Sequence, residues 1–163
     1  MKFSKWFCII ISFLFSLCSS LCAQSPPSSK ITNELINALS RVELSGVEED
    51  EIGDEKLKHK AYGPLQIRKP CLDDVNKMCG TNFKPEDCIG NLELSIWVFH
   101  RYMEKWATKK RIGREPTDED RVRIWNGGPN GWKRESTLEH WKKVVRELDK
   151  EKELAKTKKV VSK

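Results

Sequence analysis

Apolar residues recur along much of this chain at alternating spacings of three and four, the signature of helices with one buried face. Ile31, Leu35, Leu39 and Val42 predict a helix over 31–44. Leu92, Ile96, Phe99, Met103 and Trp106 carry the strongest stripe and predict a central buried helix. Leu138, Trp141, Val145 and Leu148 predict a last one. Start signals support further helices. Pro70 can open one, with Asp73 and Asp74 in its first turn and Leu72, Val75 and Cys79 facing inward. Thr117 with Asp120, and Ser136 with Glu139, have capping-box spacing. The stripe fails in "GVEEDEIGDEKLKHKAYGPLQI", residues 46–67, which reads as a loop with an irregular hairpin. The expected fold class is therefore mainly α (α+β): one helical domain with a short irregular β hairpin near residues 50–67.

The ends of the chain read differently. Lys2 and Lys5 precede the apolar run "WFCIIISFLFSLC", and Ala23 offers a small residue before Gln24, so residues 1–23 are expected to be a signal peptide. The run is short for a membrane span, which needs about 20 residues, although an uncleaved anchor is the alternative. Residues 24–30 form a Pro/Ser linker, 31–148 the domain, and 149–163 a charged tail of mixed sign. Export makes the expected localisation periplasmic or extracellular.

Composition narrows the function classes. Thirty Lys and Arg face 24 Asp and Glu, and losing Lys2 and Lys5 takes the formal charge from +6 to +4. The cations are interleaved with acids, so there is no basic stripe to follow a nucleic acid. No dinucleotide-binding glycines, phosphate loop or internal repeats occur. Cys71, Cys79 and Cys88 would remain after cleavage in an oxidising compartment, where one disulfide and one buried thiol are expected, with the pairing open. His59, His100 and His140 show no ligand spacing with these cysteines, so no metal is expected.

Glu43 ends the apolar stripe of the first helix, where a hydrophobe would be easier to bury. The motif around it is "RVELSG"; "IGD" and "AYGPLQI" follow, then "RIWNGGPNGW". In this order the segments resemble the lysozyme-like superfamily, and within it the bacterial and phage relatives of the invertebrate-type lysozymes. Glu43, then Gly63, Gln66 and Ile67, then Asn126, Gly127, Gly128 and Pro129 carry the resemblance, which covers residues 31 to about 145. Leu44 stands where serine is common, and the dense disulfide framework of the animal enzymes is absent, so their isopeptidase activity is not carried over.

The resemblance implies an exported enzyme that cuts the β-1,4 bond between N-acetylmuramic acid and N-acetylglucosamine in peptidoglycan. Glu43 would be the general acid, and burial beside Leu39 would disfavour its ionised form. Asp54, eleven residues later, is the expected second carboxylate, with Glu48, Glu49, Asp50, Glu51 and Glu55 crowding the same loop. If no second acid acts, one glutamate suffices for a lytic transglycosylase. The third reading is a wall-binding protein without catalysis. Ser45, Tyr62, Gln66, Asn126, Gly127 and Gly128 are the expected substrate-binding residues. Trp125 and Trp132 are candidates for stacking on sugar faces, but core packing is the simpler expectation.

Overall fold

A computed structural model describes residues 31–47, 51–54 and 56–161. The expected signal peptide and linker lie outside the described residues, as do Glu48, Glu49, Asp50 and Glu55.

The first helix, α1, spans Asn33–Glu43, and Thr32 caps it by accepting from Leu35 N at 3.3 Å. Leu35, Ile36, Ala38 and Leu39 are its buried face. It stops at Glu43 because the next residues turn back: Ser45 N donates to the Val42 carbonyl, Val47 N to that of Leu44, and Gly46 takes φ +83°. A side chain resists that angle; glycine does not.

The region expected as a hairpin is a three-stranded antiparallel sheet of very short strands, β1 (Ile52–Gly53), β2 (Ala61–Tyr62) and β3 (Ile67–Arg68), in the order β1-β2-β3. Ile52 pairs with Tyr62 and Tyr62 with Ile67. Strands of two residues leave no alternation to read, which is why the third was missed. Side-chain and turn bonds add to so small a ladder: the Glu51 carbonyl accepts both Gly63 N, at 3.0 Å, and Gln66 Nε2, at 3.1 Å.

Helix α2 (Lys69–Cys79) has Pro70 in its first turn and is capped by Gly80 in the left-handed conformation. Asp73 and Asp74 lie beyond its first turn, contrary to expectation. Asp73 pairs with Lys69 one turn back, and Asp74 reaches to the next helix. After a 3₁₀ turn at Pro85–Cys88, the central helix α3 (Leu92–Trp106) runs from the first to the last residue of its predicted stripe. Its buried face is rotated from the expected one: Leu92 is exposed, while Ser95, Val98, Phe99, Arg101, Tyr102 and Met103 are buried. Position 92 is the first residue of the helix, capped by Asn91 and projecting past the core.

A single turn, α4 (Lys109–Ile112), leads to α5 (Asp118–Gly127), which has the predicted capping box. Thr117 Oγ1 accepts from Asp120 N at 3.3 Å, and Asp120 Oδ2 accepts from Thr117 N at 2.8 Å. The last helix, α6, runs Leu138–Val161, through most of the expected tail. Pairs such as Lys150–Glu147 and Lys156–Glu153 line its exposed side. The chain enters α6 through a 3₁₀ turn, Glu135–Thr137, rather than from a Ser136 cap. Val144, not Val145, is its fully buried valine.

One core joins these pieces: Leu35 and Leu39 from α1, Leu65 and Ile67 from the β region, Leu72 and Val75 from α2, Phe99 and Met103 from α3, Val122 and Ile124 from α5, and Val144 from α6. No disulfide forms among the described cysteines; Cys71, Cys79 and Cys88 are thiols. Cys71 and Cys79 lie eight residues apart on one helix, about 12 Å along its axis, too far to bridge. Burial pushes the Cys88 thiol up to about 11, with Asp87 and Glu86 adding to it, so little thiolate exists there to start an exchange.

Asp120 is the buried charge to test, at 2% exposure. Burial alone would raise its carboxyl, but the Arg114 guanidinium and the Thr117 amide and hydroxyl outweigh that and hold it below the usual carboxylate range. Its stabilisation is therefore complete above the unfolded value, about pH 4, and is lost as pH falls through the lower folded one. Asp120→Asn should cost about 2 kcal/mol at pH 7. Urea unfolding at pH 7 and pH 3 should show that gap narrowing in acid.

Candidate active site

A groove of about 700 Å³ opens between the end of α1, the β region and the α5 end of the helical body. Each wall follows from local structure already described. The turn after α1 brings Glu43, Ser45, Gly46 and Val47 to one side. The sheet contributes Ile52, Gly53, Asp54, Ala61, Gln66 and Arg68. Helix α2 supplies Pro70, Cys71 and Asp74, and α3 supplies Tyr102. Trp125, Asn126, Gly128 and Pro129 close the opposite end.

Six of the eight residues expected from the sequence therefore meet in one groove: Glu43, Ser45, Asp54, Gln66, Asn126 and Gly128. Tyr62 and Gly127 do not line it. Tyr62 sits in the middle strand and packs against the core. Gly127 faces Thr137, whose methyl would stand 2.5 Å from an added Cβ, so its missing side chain allows α5 to approach the start of α6.

Glu43 is the more enclosed of the two carboxylates. Its side chain is 15% exposed, against 43% for Asp54. Asp54 projects from a residue with φ +55° and is ion-paired with Arg68, whose other terminal nitrogen donates to the His59 carbonyl at 2.8 Å. The guanidinium thus fixes the turn that holds Asp54 as well as its charge.

Gln66 stands at φ +50°, with Nε2 donating to the carbonyls of Glu51 and Gly63 at 3.1 and 3.0 Å. Its Oε1 occupies the place a side chain on Gly53 would need, 2.0 Å from an ideal Cβ. Gln66 therefore organises the sheet, with its amide nitrogen already engaged by the backbone. Trp125 has two sides as well: its indole N–H donates to the Leu65 carbonyl at 3.0 Å, and its ring packs edge-on against Phe99 and Tyr102 at 4.9 and 5.8 Å. The expected packing role holds, and the residue also lines the groove. Trp132 lies outside the groove lining, with the Lys133 ammonium 4.7 Å from its ring centre.

Several groove residues were not expected at the site from the sequence. Asp74 accepts from Lys105 Nζ at 2.9 Å and from Trp106 Nε1 at 3.1 Å. Burial, then Cys71 and Asp74, raise the Tyr102 phenol well above its ordinary value against an opposing Arg111, so it stays a neutral hydrogen-bond donor. Burial, with Asp74 and Cys88 beside it, likewise raises the Cys71 thiol and makes it a poor nucleophile. Among the described residues, no three His, Cys, Asp or Glu side chains are gathered to hold a metal ion.

Solved structures share this architecture. Crystal structures of Aeromonas hydrophila PliI in complex with Meretrix lusoria lysozyme, and of inhibitor-bound Meretrix lusoria lysozyme, each match with a TM-score of 0.59 and 21% identity, over 71% of this chain and 89% of the matched one. Tapes japonica lysozyme matches with a TM-score of 0.57 and 20% identity, over 69% and 87%. No protein-family model and no curated protein matches the sequence. The chain has a lysozyme-like fold, mainly helical with a small antiparallel sheet.

Gly63 holds the groove's sheet against the 3₁₀ turn behind it. It adopts φ +73°, and an added Cβ would lie 2.2 Å from the Cys88 carbonyl oxygen, a backbone atom that cannot move aside cheaply. Gly63→Ala should lower stability by about 3 kcal/mol in chemical denaturation, through strain and overpacking together.

Proposed function

We propose that this chain is an exported glycoside hydrolase that cleaves peptidoglycan at the bond between N-acetylmuramic acid and N-acetylglucosamine. The observation that carries the reading is that the groove of a lysozyme-like fold has the enclosed Glu43 and the ion-paired Asp54 among its walls. Glu43 protonates the leaving sugar oxygen. Asp54 faces the positive charge that develops on the cleaved sugar, as nucleophile or as electrostatic stabiliser. Ser45, Asn126 and the Gly128 backbone border the path of the glycan, and Tyr102 offers a neutral hydroxyl. The apolar segment behind Lys2 and Lys5 supports export to the periplasm or the cell exterior.

Arg68 favours one second reading. A carboxylate held by a guanidinium is a weaker nucleophile, and a lytic transglycosylase needs none, because the muramyl hydroxyl itself attacks. The ends of the products separate the two: hydrolysis leaves reducing ends and transglycosylation leaves anhydro-muramyl ends.

The test is digestion of purified peptidoglycan by the chain lacking residues 1–23, followed by turbidity and by mass spectrometry of the fragments. Glu43→Gln should reduce the rate about 100-fold or more, the lower range for loss of a general acid. Wild type and Glu43→Gln binding peptidoglycan alike, with neither cleaving it, would leave a wall-binding protein on the same fold.

A further inference from the structure

The first turn of α6 places a histidine behind Glu43. His140 Nε2 lies 3.2 Å from Glu43 Oε1, and the two side chains are only 13% and 15% exposed. That nitrogen is shut off from solvent and completes no well-aligned hydrogen bond, so the contact is close but bent. His140 is not in the groove lining, whereas Glu43 is. Glu43 therefore has the groove on one side and an imidazole on the other.

Among the described residues, the arginines of α1 and α5 are engaged elsewhere. Arg41, on the same helix as Glu43, is bound to Glu147 and Glu151 further along α6. On α5, which also packs against α6, Arg123 is held by Glu119 and Thr137, and Arg121 by Asp118.

A carboxyl at the last residue of a helix has several rotamers open to it. One anchored oxygen removes most of that freedom and leaves the other oxygen to meet the substrate. Catalytic hydrogen bonds are often long or poorly aligned before substrate arrives and tighten when it binds.

We propose that His140 is a positioning residue for Glu43: its Nε2 holds Oε1 from behind and so aims the remaining oxygen at the scissile bond. The proposal rests on the glycosidase reading of the groove, and its effect belongs to the chemical step, because His140 does not reach the glycan. Loss of the contact lowers kcat and leaves KM alone. A glutamine amide can stand near the place of Nε2 and donate to the same oxygen, whereas alanine cannot.

The experiment measures kcat and KM on soluble peptidoglycan oligomers for wild type, His140→Ala and His140→Gln, with thermal midpoints for all three. We expect His140→Ala to lose kcat about tenfold or more with KM within about twofold, and His140→Gln to stay within about threefold of wild type. Wild-type kcat in His140→Ala, or equal damage in both variants, would overturn the proposal. A second readout is independent of activity. The ¹⁵N signal of His140 Nε2 should differ between wild type and Glu43→Gln, while the signals of His59 and His100 stay in place. An unmoved His140 signal overturns the pairing. Intact oligomers after incubation with wild type overturn the glycosidase reading instead, and the nitrogen signal still decides whether His140 holds Glu43.

Discussion

The hydrogen bond from the Trp125 indole to the Leu65 carbonyl is the constraint on which the groove depends. The β region has three strands of two residues each, far too little ladder to stand alone. It keeps its shape because it is fastened to the helices. Leu65 and Ile67 are fully buried in the common core, and Trp125 reaches from α5 to bind the backbone between them while its ring rests on Phe99 and Tyr102 of the central helix. The same tryptophan forms part of the groove wall. A single side chain thus joins the irregular half of the molecule to the regular half at the cleft where they meet.

That arrangement explains which features could be read from the sequence. Helices α1, α2, α3, α5 and α6 were visible because each has a periodic face or a start signal, and both are local. The details that failed were set by neighbours. Leu92 has the right spacing for the core but stands at the first residue of α3, beyond anything to pack on. Ser95 and Arg101 are buried on the same helix although nothing apolar marks them. Asp74 resembled a helix-dipole charge and instead binds Lys105 and Trp106, residues about thirty positions away. The expected disulfide came from counting thiols against compartment, although the helix predicted from Pro70 already sets Cys71 and Cys79 too far apart to bridge.

The candidate site divides along the same line. Glu43, Ser45, Asp54, Gln66, Asn126 and Gly128 were found through the order of short motifs, and the fold gathers them into one groove. Tyr62 and Gly127 belong to the same motifs but serve the scaffold, one as the middle strand and the other as a close-packing point beneath Thr137. Arg68, Tyr102, Asp74 and His140 were missed because each reaches its neighbour across the fold. His140 is 97 positions from Glu43 in the chain and in contact with it in space. Gln66 was expected to hold a sugar, yet its nitrogen is committed to two backbone carbonyls, so its part is to shape the wall.

On the proposed function, a glycan lies in this groove with its scissile bond at Glu43. A crystal structure of the Glu43→Gln variant with an N-acetylglucosamine oligomer tests it most directly. Sugar rings should run through the groove, with one glycosidic oxygen about 3 Å from the side chain at position 43 and Asp54 beneath the same ring. An oligomer seated elsewhere on the surface, with the groove holding only solvent, would contradict it.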